Sequence, residues 1–281
     1  MLKIKGTTKI VGIIGYPIRH TLSPLMHNSA FMHIGLDYVY IPMEVQPLDL
    51  KRAVQSMKYL NITGINVTVP YKEEVISYLD EILTDARTIG AVNTIHNSNG
   101  RLLGYNTDGE GFISSLRNDG KVKTEGKRVV LFGAGGVGRA IGTKLAGAGI
   151  SVMHIYDIDL NKQGSLTKHI KKTYPKSNVC AIQASELKEA VRNADVLINA
   201  TPIGMHRGDP CVVEPKLLHK KLFVFDAVYN TETRLLKEAR KRGIGAINGL
   251  GMLIYQGALS FKIWTGREAP LEIMKKAVIK R

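Results

Sequence analysis

Arg128-Val129-Val130-Leu131-Phe132-Gly133-Ala134-Gly135-Gly136-Val137-Gly138-Arg139-Ala140 decides the fold of this chain. Val129 to Phe132 form an unbroken apolar run of strand length, and Gly-x-Gly-x-x-Gly follows it directly. That glycine spacing alone is weak evidence. Directly after a buried strand and at the head of a helix, it predicts a βα unit whose glycines make a tight turn. The helix N-terminus can then approach a pyrophosphate. Strand patterns recur at residues 151–157, 178–182, 195–199, 222–226 and 244–248, with helical patterns between them. Such alternation is the signature of a parallel, doubly wound sheet. The second strand ends in Asp157, an acidic residue placed to accept both ribose hydroxyls of NAD and to repel the extra phosphate of NADP. Helix capping is its plainer role. The loop from Asn199 through Thr201 ends another strand, where the nicotinamide end of a dinucleotide would lie.

Upstream, residues 118–127 turn polar and rich in Gly and Lys, which marks a linker. Before it lies a second α/β pattern. Residues 10–15 and 38–45 read as strands, and 48–60 as an amphipathic helix. In Gly64-Ile65-Asn66-Val67-Thr68-Val69-Pro70-Tyr71-Lys72 the apolar residues alternate as in a half-buried strand. Pro70 stops that strand, and Val75, Ile76 and Leu79 share one face of the helix expected after it. Lys72 therefore falls at a strand-to-helix junction, where α/β sheets keep their ligand crevices.

Other polar residues fall at similar positions. Ser23-Pro24 reads as a helix N-cap with proline behind it. Thr21 and Ser23 thus offer two hydroxyls at a helix N-terminus that favours anions. Asp108, after a hairpin turning at Asn97-Ser98-Asn99-Gly100, reads as a cap that also offers a carboxylate at a strand end. The helix after Asn248-Gly249 is apolar on most sides and so should be buried. Its polar exception, Gln256, is either paired to backbone or turned to a ligand.

Composition narrows the function classes. The chain has 281 residues, 44% hydrophobic and 22% charged, which is globular and long enough for two domains. No apolar run approaches the ~18 residues of a spanning helix, and the first fifteen or so residues lack a secretory apolar core. Cys180 and Cys211 have no metal-ligand spacing, so no metal site is expected and a reducing, cytoplasmic setting is. The net charge of +15 raises nucleic-acid binding. Yet Lys171-Lys172, Lys220-Lys221 and Arg240-Lys241-Arg242 fall in separate segments without an aromatic-interleaved stripe. A basic surface that steers small anions is the better reading, with no nucleic-acid or membrane partner.

Taken together, His20-Thr21-Leu22-Ser23-Pro24, Gly64 to Lys72, Gly90-Ala91-Val92-Asn93-Thr94, Asn106-Thr107-Asp108-Gly109, the Gly133 loop, Asn199-Ala200-Thr201 and Gly249 to Gln256 resemble the shikimate dehydrogenase family, including its quinate/shikimate branch. The resemblance runs over nearly the whole length. It implies a three-layer α/β substrate domain at residues 1–110, completed by C-terminal helices at 252–281, and a Rossmann NAD(P)-binding domain at 111–251. It also implies reversible reduction of 3-dehydroshikimate to shikimate, in aromatic amino acid biosynthesis. Lys72 would exchange the proton, and Asp108 would hold the same hydroxyl and orient the ammonium. Thr21, Ser23 and Tyr229 would bind the substrate carboxylate, while Thr68, Asn93 and Gln256 would reach ring hydroxyls. Gly133, Ala134, Gly135, Gly136, Val137, Asp157, Thr201, Val228 and Gly249 would line the dinucleotide.

Two departures from the family pattern stand out. Thr21 replaces the usual Ser, keeping the hydroxyl and adding a methyl. Asp157-Ile158-Asp159 stands where biosynthetic members carry an Asn-Arg-Thr-type segment for the NADP phosphate. NAD(H) is therefore the expected cofactor, with NADP(H) as the alternative and NAD-dependent oxidation of quinate as the alternative activity. Either a monomer or a homodimer suits the chain.

Overall fold

A computed structural model describes residues 3–279; the outer ends of the expected substrate domain, residues 1–2 and 280–281, lie outside them. The chain divides into two compact units, residues 3–111 with 253–279, and residues 112–252.

The first unit contains β1 (Lys9–Gly15), α1 (Ser23–His33), β2 (Tyr38–Glu44), α2 (Leu50–Tyr59), β3 (Ile62–Val67), β4 (Glu81–Ile82), α3 (Thr84–Ile89), β5 (Thr94–Ser98) and β6 (Arg101–Tyr105). Its sheet runs β2-β1-β3-β5-β6-β4. β1 pairs in parallel with β2 and β3, whereas β5 is antiparallel to β3 and β6. The β5–β6 hairpin turns through Asn99 and Gly100, both at positive φ, the conformation a tight hairpin needs.

Side chains alternate across β3, so one sheet face packs Ile65 and Val67 with Leu50, Val54 and Met57 of α2. The opposite face meets the C-terminal helix that carries Ser260 and Trp264. A Cβ on Gly64 would stand 2.0 Å from the Trp264 indole, so only glycine lets that ring lie on β3. The Trp264 Nε1–H donates to Ile95 O at 2.9 Å. Strand β3 is thus covered on both faces, and Asn66 is buried rather than turned to water.

The helix expected after Pro70 is instead a short 3-10 turn, Glu74–Tyr78, behind a cis Val69–Pro70 bond. The Lys72 carbonyl explains this, since it accepts from Val92 N–H at 2.7 Å and is lost to helical pairing. The β-branched pair Val75-Ile76 adds little helix propensity.

Helix α4 (Asp108–Asn118) carries the chain across the unit boundary. The second unit continues with β7 (Arg128–Phe132), α5 (Gly136–Gly147), β8 (Val152–Tyr156), α6 (Leu160–Thr173), β9 (Val179–Ala181), α7 (Leu187–Asn193), β10 (Val196–Asn199), β11 (Phe223–Asp226), α8 (Arg234–Lys241) and β12 (Gly245–Asn248). Helices α9 (Leu250–Thr265) and α10 (Leu271–Ile279) complete the chain.

All pairs in the second sheet are parallel, and its order is β12-β11-β10-β7-β8-β9. This is the doubly wound order whose switch point, between β7 and β10, is where such sheets bind ligands. Apolar layers cover both faces. Phe112, Ile141, Leu145 and Leu166 pack on one, and Val191, Leu217, Leu235 and Leu236 on the other.

Candidate active site

Lys72 and Asp108 meet inside the first unit. Lys72 Nζ donates to Asp108 Oδ2 at 2.6 Å, with side chains 9% and 7% exposed. That burial places Lys72 inside the protein and not on its solvated surface. Asp108 does not cap α4. Asn106 Oδ1 takes the N–H groups of Asp108 and Gly109, at 3.0 and 3.4 Å, leaving the Asp108 carboxylate for Lys72. The other carboxylate oxygen, Oδ1, accepts from Asn93 Nδ2 at 2.9 Å. A buried ion pair is sustainable only with such additional hydrogen bonds.

Asn93 is itself held on every side. Its Oδ1 accepts the Thr107 N–H at 2.8 Å, and its Nδ2 also reaches Thr107 Oγ1 at 2.8 Å and Gln256 Oε1 at 3.3 Å. Gln256 donates to Leu253 O at 2.8 Å, so the backbone role foreseen for it is filled while its oxygen faces Asn93 and Thr107. Lys72, Asn93, Asp108 and Gln256 therefore form one cluster, and Thr107 and Asn106 join it. The sequence signal for those two was their place before a helix-opening aspartate.

Thr21 and Ser23 lie at the start of α1, but Ser23 is not its cap. The helix begins at Ser23, and Thr21 Oγ1 accepts the Ser23 N–H at 3.3 Å. Thr21 also lines a surface cavity of about 270 Å³ with Arg19, Pro24 and Glu44. Thr68 follows β3, its N–H donating to Ile14 O at 2.9 Å.

In the second unit, Gly133 has φ +99°, and a Cβ there would stand 2.8 Å from Ala200. On Gly138 a Cβ would stand 2.0 Å from Gly133 O. The turn after β7 therefore packs backbone against backbone beside the β10 loop, at the switch point. A Cβ on Gly135 meets no atom within 4 Å, so the space before the first turn of α5, with Gly136 and Val137, is open to a phosphate. These features fit a dinucleotide.

Beside this turn, Asn199 Nδ2 donates to Asp226 Oδ1 at 2.9 Å and its Oδ1 accepts from Thr201 Oγ1 at 2.6 Å. Asp226 is fully buried, which pushes its carboxyl up, and also takes the Val228 N–H at 3.1 Å. This brace between two strand ends was not anticipated from sequence. Gly249 packs on Ala227, where a Cβ would stand 2.1 Å from the carbonyl oxygen. Tyr229, in the loop after β11, belongs to this unit, and burial raises its phenol.

Asp157 has a different task from the one its position suggested. Its Oδ2 accepts the Ala134 N–H at 2.7 Å and its Oδ1 the Asp159 N–H at 2.8 Å. Asp159, not Asp157, caps α6. The carboxylate is committed to bracing the glycine turn.

Comparison with known proteins places the chain. Residues 13–95 match the shikimate dehydrogenase substrate binding domain, 116–226 the shikimate/quinate 5-dehydrogenase family, and 249–279 the shikimate 5'-dehydrogenase C-terminal domain. A protein of Alkaliphilus metalliredigens named shikimate dehydrogenase (NADP(+)) is 44% identical, over 99% of this chain and 99% of its own. One of the same name from Methanopyrus kandleri is 43% identical over 99% and 97%. A crystal structure of shikimate dehydrogenase in complex with NADP+ superposes with a TM-score of 0.91 at 42% identity, covering 99% of this chain and 96% of that one.

These names overturn the expectation of NAD(H). Relatives this similar are named for NADP(+) and one was crystallised with it, and the Asp157 carboxylate is not at liberty to read a ribose. It is bound instead to Ala134 and Asp159 N–H. No helix among the described residues is long and apolar enough to cross a membrane. By its matched domains, its fold and its full-length relatives, the chain belongs to the shikimate dehydrogenase family.

Proposed function

We propose that this protein catalyses the reversible, NADP(H)-dependent reduction of 3-dehydroshikimate to shikimate. The observation that carries the reading is the buried Lys72–Asp108 pair at 2.6 Å, its second carboxylate oxygen held by Asn93. Alcohol oxidation needs a group that takes the hydroxyl proton as hydride leaves. Lys72 serves as that carrier as the neutral amine, becoming the ammonium, and in the other direction the ammonium gives its proton to the forming alkoxide. Asp108 keeps the amine pointed at the reacting oxygen and accepts from the same hydroxyl.

Thr21 and Ser23 hold the substrate carboxylate, and Thr68, Asn93 and Gln256 face the ring hydroxyls. A site built of such groups rejects analogues that leave them unpaired. The residues from Gly133 to Val137, with Thr201, Val228 and Gly249, would hold the dinucleotide, which supplies or accepts the hydride when bound. Asp157 keeps the glycine turn in shape.

The test is steady-state kinetics of shikimate and quinate against NADP+ and NAD+. Highest catalytic efficiency is expected with shikimate and NADP+. Absence of dinucleotide reduction on adding shikimate would sink the assignment.

A further inference from the structure

We propose that Tyr40, Asn66 and Thr94 are positioning residues for the Lys72–Asp108 pair, acting through a buried line of hydrogen bonds that fixes which way the Asn93 amide faces. The proposal rests on the reading of Lys72 and Asp108 as the reacting pair. Tyr40 and Asn66 lie on β2 and β3, and Thr94 begins β5 directly opposite Asn66. All three are buried on the face that meets α9.

Proton bookkeeping gives the line a direction. The Tyr40 hydroxyl donates to Asn66 Oδ1 at 2.8 Å, so the Asn66 Nδ2 must face the other way. It points at Asn93 O, Thr94 Oγ1 and Ser260 Oγ, at 3.1, 3.0 and 3.0 Å. Thr94 Oγ1 accepts that bond and lies 2.8 Å from Ser260 Oγ, a pair in which either hydroxyl can donate; with Ser260 donating, the Thr94 hydrogen goes to Asn93 Oδ1 at 3.1 Å. With its oxygen held there and by the Thr107 N–H, Asn93 must turn Nδ2 toward Asp108 Oδ1. A flipped Asn93 would set its oxygen against that carboxylate oxygen with no proton between them. Asp108 would then turn from Lys72. The far end of the line is anchored as well, because the Tyr40 ring stacks on His27 at 4.4 Å and 2°.

Thr94→Val keeps the shape and removes the hydroxyl, whereas Thr94→Ser keeps the hydroxyl. Losing one buried hydrogen bond that acts on the reacting geometry should lower kcat about five- to tenfold in Thr94→Val. KM for shikimate should rise by less than kcat falls, since the relay sets the reacting pair as well as the Asn93 amide that faces a ring hydroxyl. Thr94→Ser should restore kcat, and Tyr40→Phe should fall between the two.

Parent-like turnover in Thr94→Val, equal slowing in Thr94→Ser, or an effect on KM alone would overturn the proposal. The parent's own turnover reports separately on the proposed activity. Should the parent be inactive, NMR still reads the relay. Exchange of the Asn93 Nδ2 protons should be slow in parent and Thr94→Ser and about tenfold faster in Thr94→Val. Equal rates in all three would refute it.

Discussion

Removing one member of the Lys72–Asp108 pair should cost far more than removing both. The two atoms are 2.6 Å apart and the side chains 9% and 7% exposed, so water does little to stabilise a lone charge at either position. Asp108→Asn leaves a buried ammonium with no carboxylate. Lys72→Met leaves a carboxylate holding only its Asn93 bond. Breaking a buried pair from one side costs about 3–5 kcal/mol. The Lys72→Met/Asp108→Asn double variant carries no buried charge there and should recover about 2 kcal/mol relative to either single change.

Trp264, the one tryptophan of the chain, is 4% exposed on α9 in the same unit, so its fluorescence follows the unfolding of that unit. With a urea slope of ~1–3 kcal/mol per M, each single change should lower the midpoint by about 1–5 M. A cost below about 1 kcal/mol is what an exposed pair gives. That result, or simple additivity in the double variant, would refute the reasoning.

Three further outcomes follow from the packing of the molecule. Gly138→Ala forces a Cβ to within 2.0 Å of Gly133 O, a backbone atom that cannot move aside; NADP+ affinity should fall at least ~10-fold by titration calorimetry, and an unchanged Kd would contradict the reading of this turn. Gly64→Ala would set a Cβ 2.0 Å from the Trp264 ring, so destabilisation above ~3 kcal/mol is expected in urea unfolding followed by circular dichroism. His27 is fully buried, and burial lowers its pKa to about 3 from 6.5. Its proton is taken up by the unfolded chain first, so stability is fully present above 6.5 and is lost as pH falls from 6.5 toward 3. Between pH 7 and 5 the loss is about 2 kcal/mol, and His27→Phe should flatten that part of the profile.

What the sequence made legible was local. The glycine turn follows its strand directly, and the Lys72 and Asp108 positions sit at strand ends that periodicity locates. What it hid depended on distant partners. The 3-10 turn after Pro70 exists because the Lys72 carbonyl is taken by Val92. Asp157 looked like a ribose reader until Ala134 occupied it, 23 positions earlier in the chain. Asn66 read as the polar side of a half-exposed strand, yet Ser260, 194 positions away, covers it. Helix caps erred by a residue or two at Ser23 and Asp108, where Thr21 and Asn106 supply the oxygens.

The most direct test of the central claim compares the parent enzyme with Lys72→Met in shikimate oxidation by NADP+, followed by the absorbance of the reduced dinucleotide. Loss of the proton carrier should lower kcat at least ~100-fold while KM for shikimate changes little. Turnover within tenfold of the parent would contradict it.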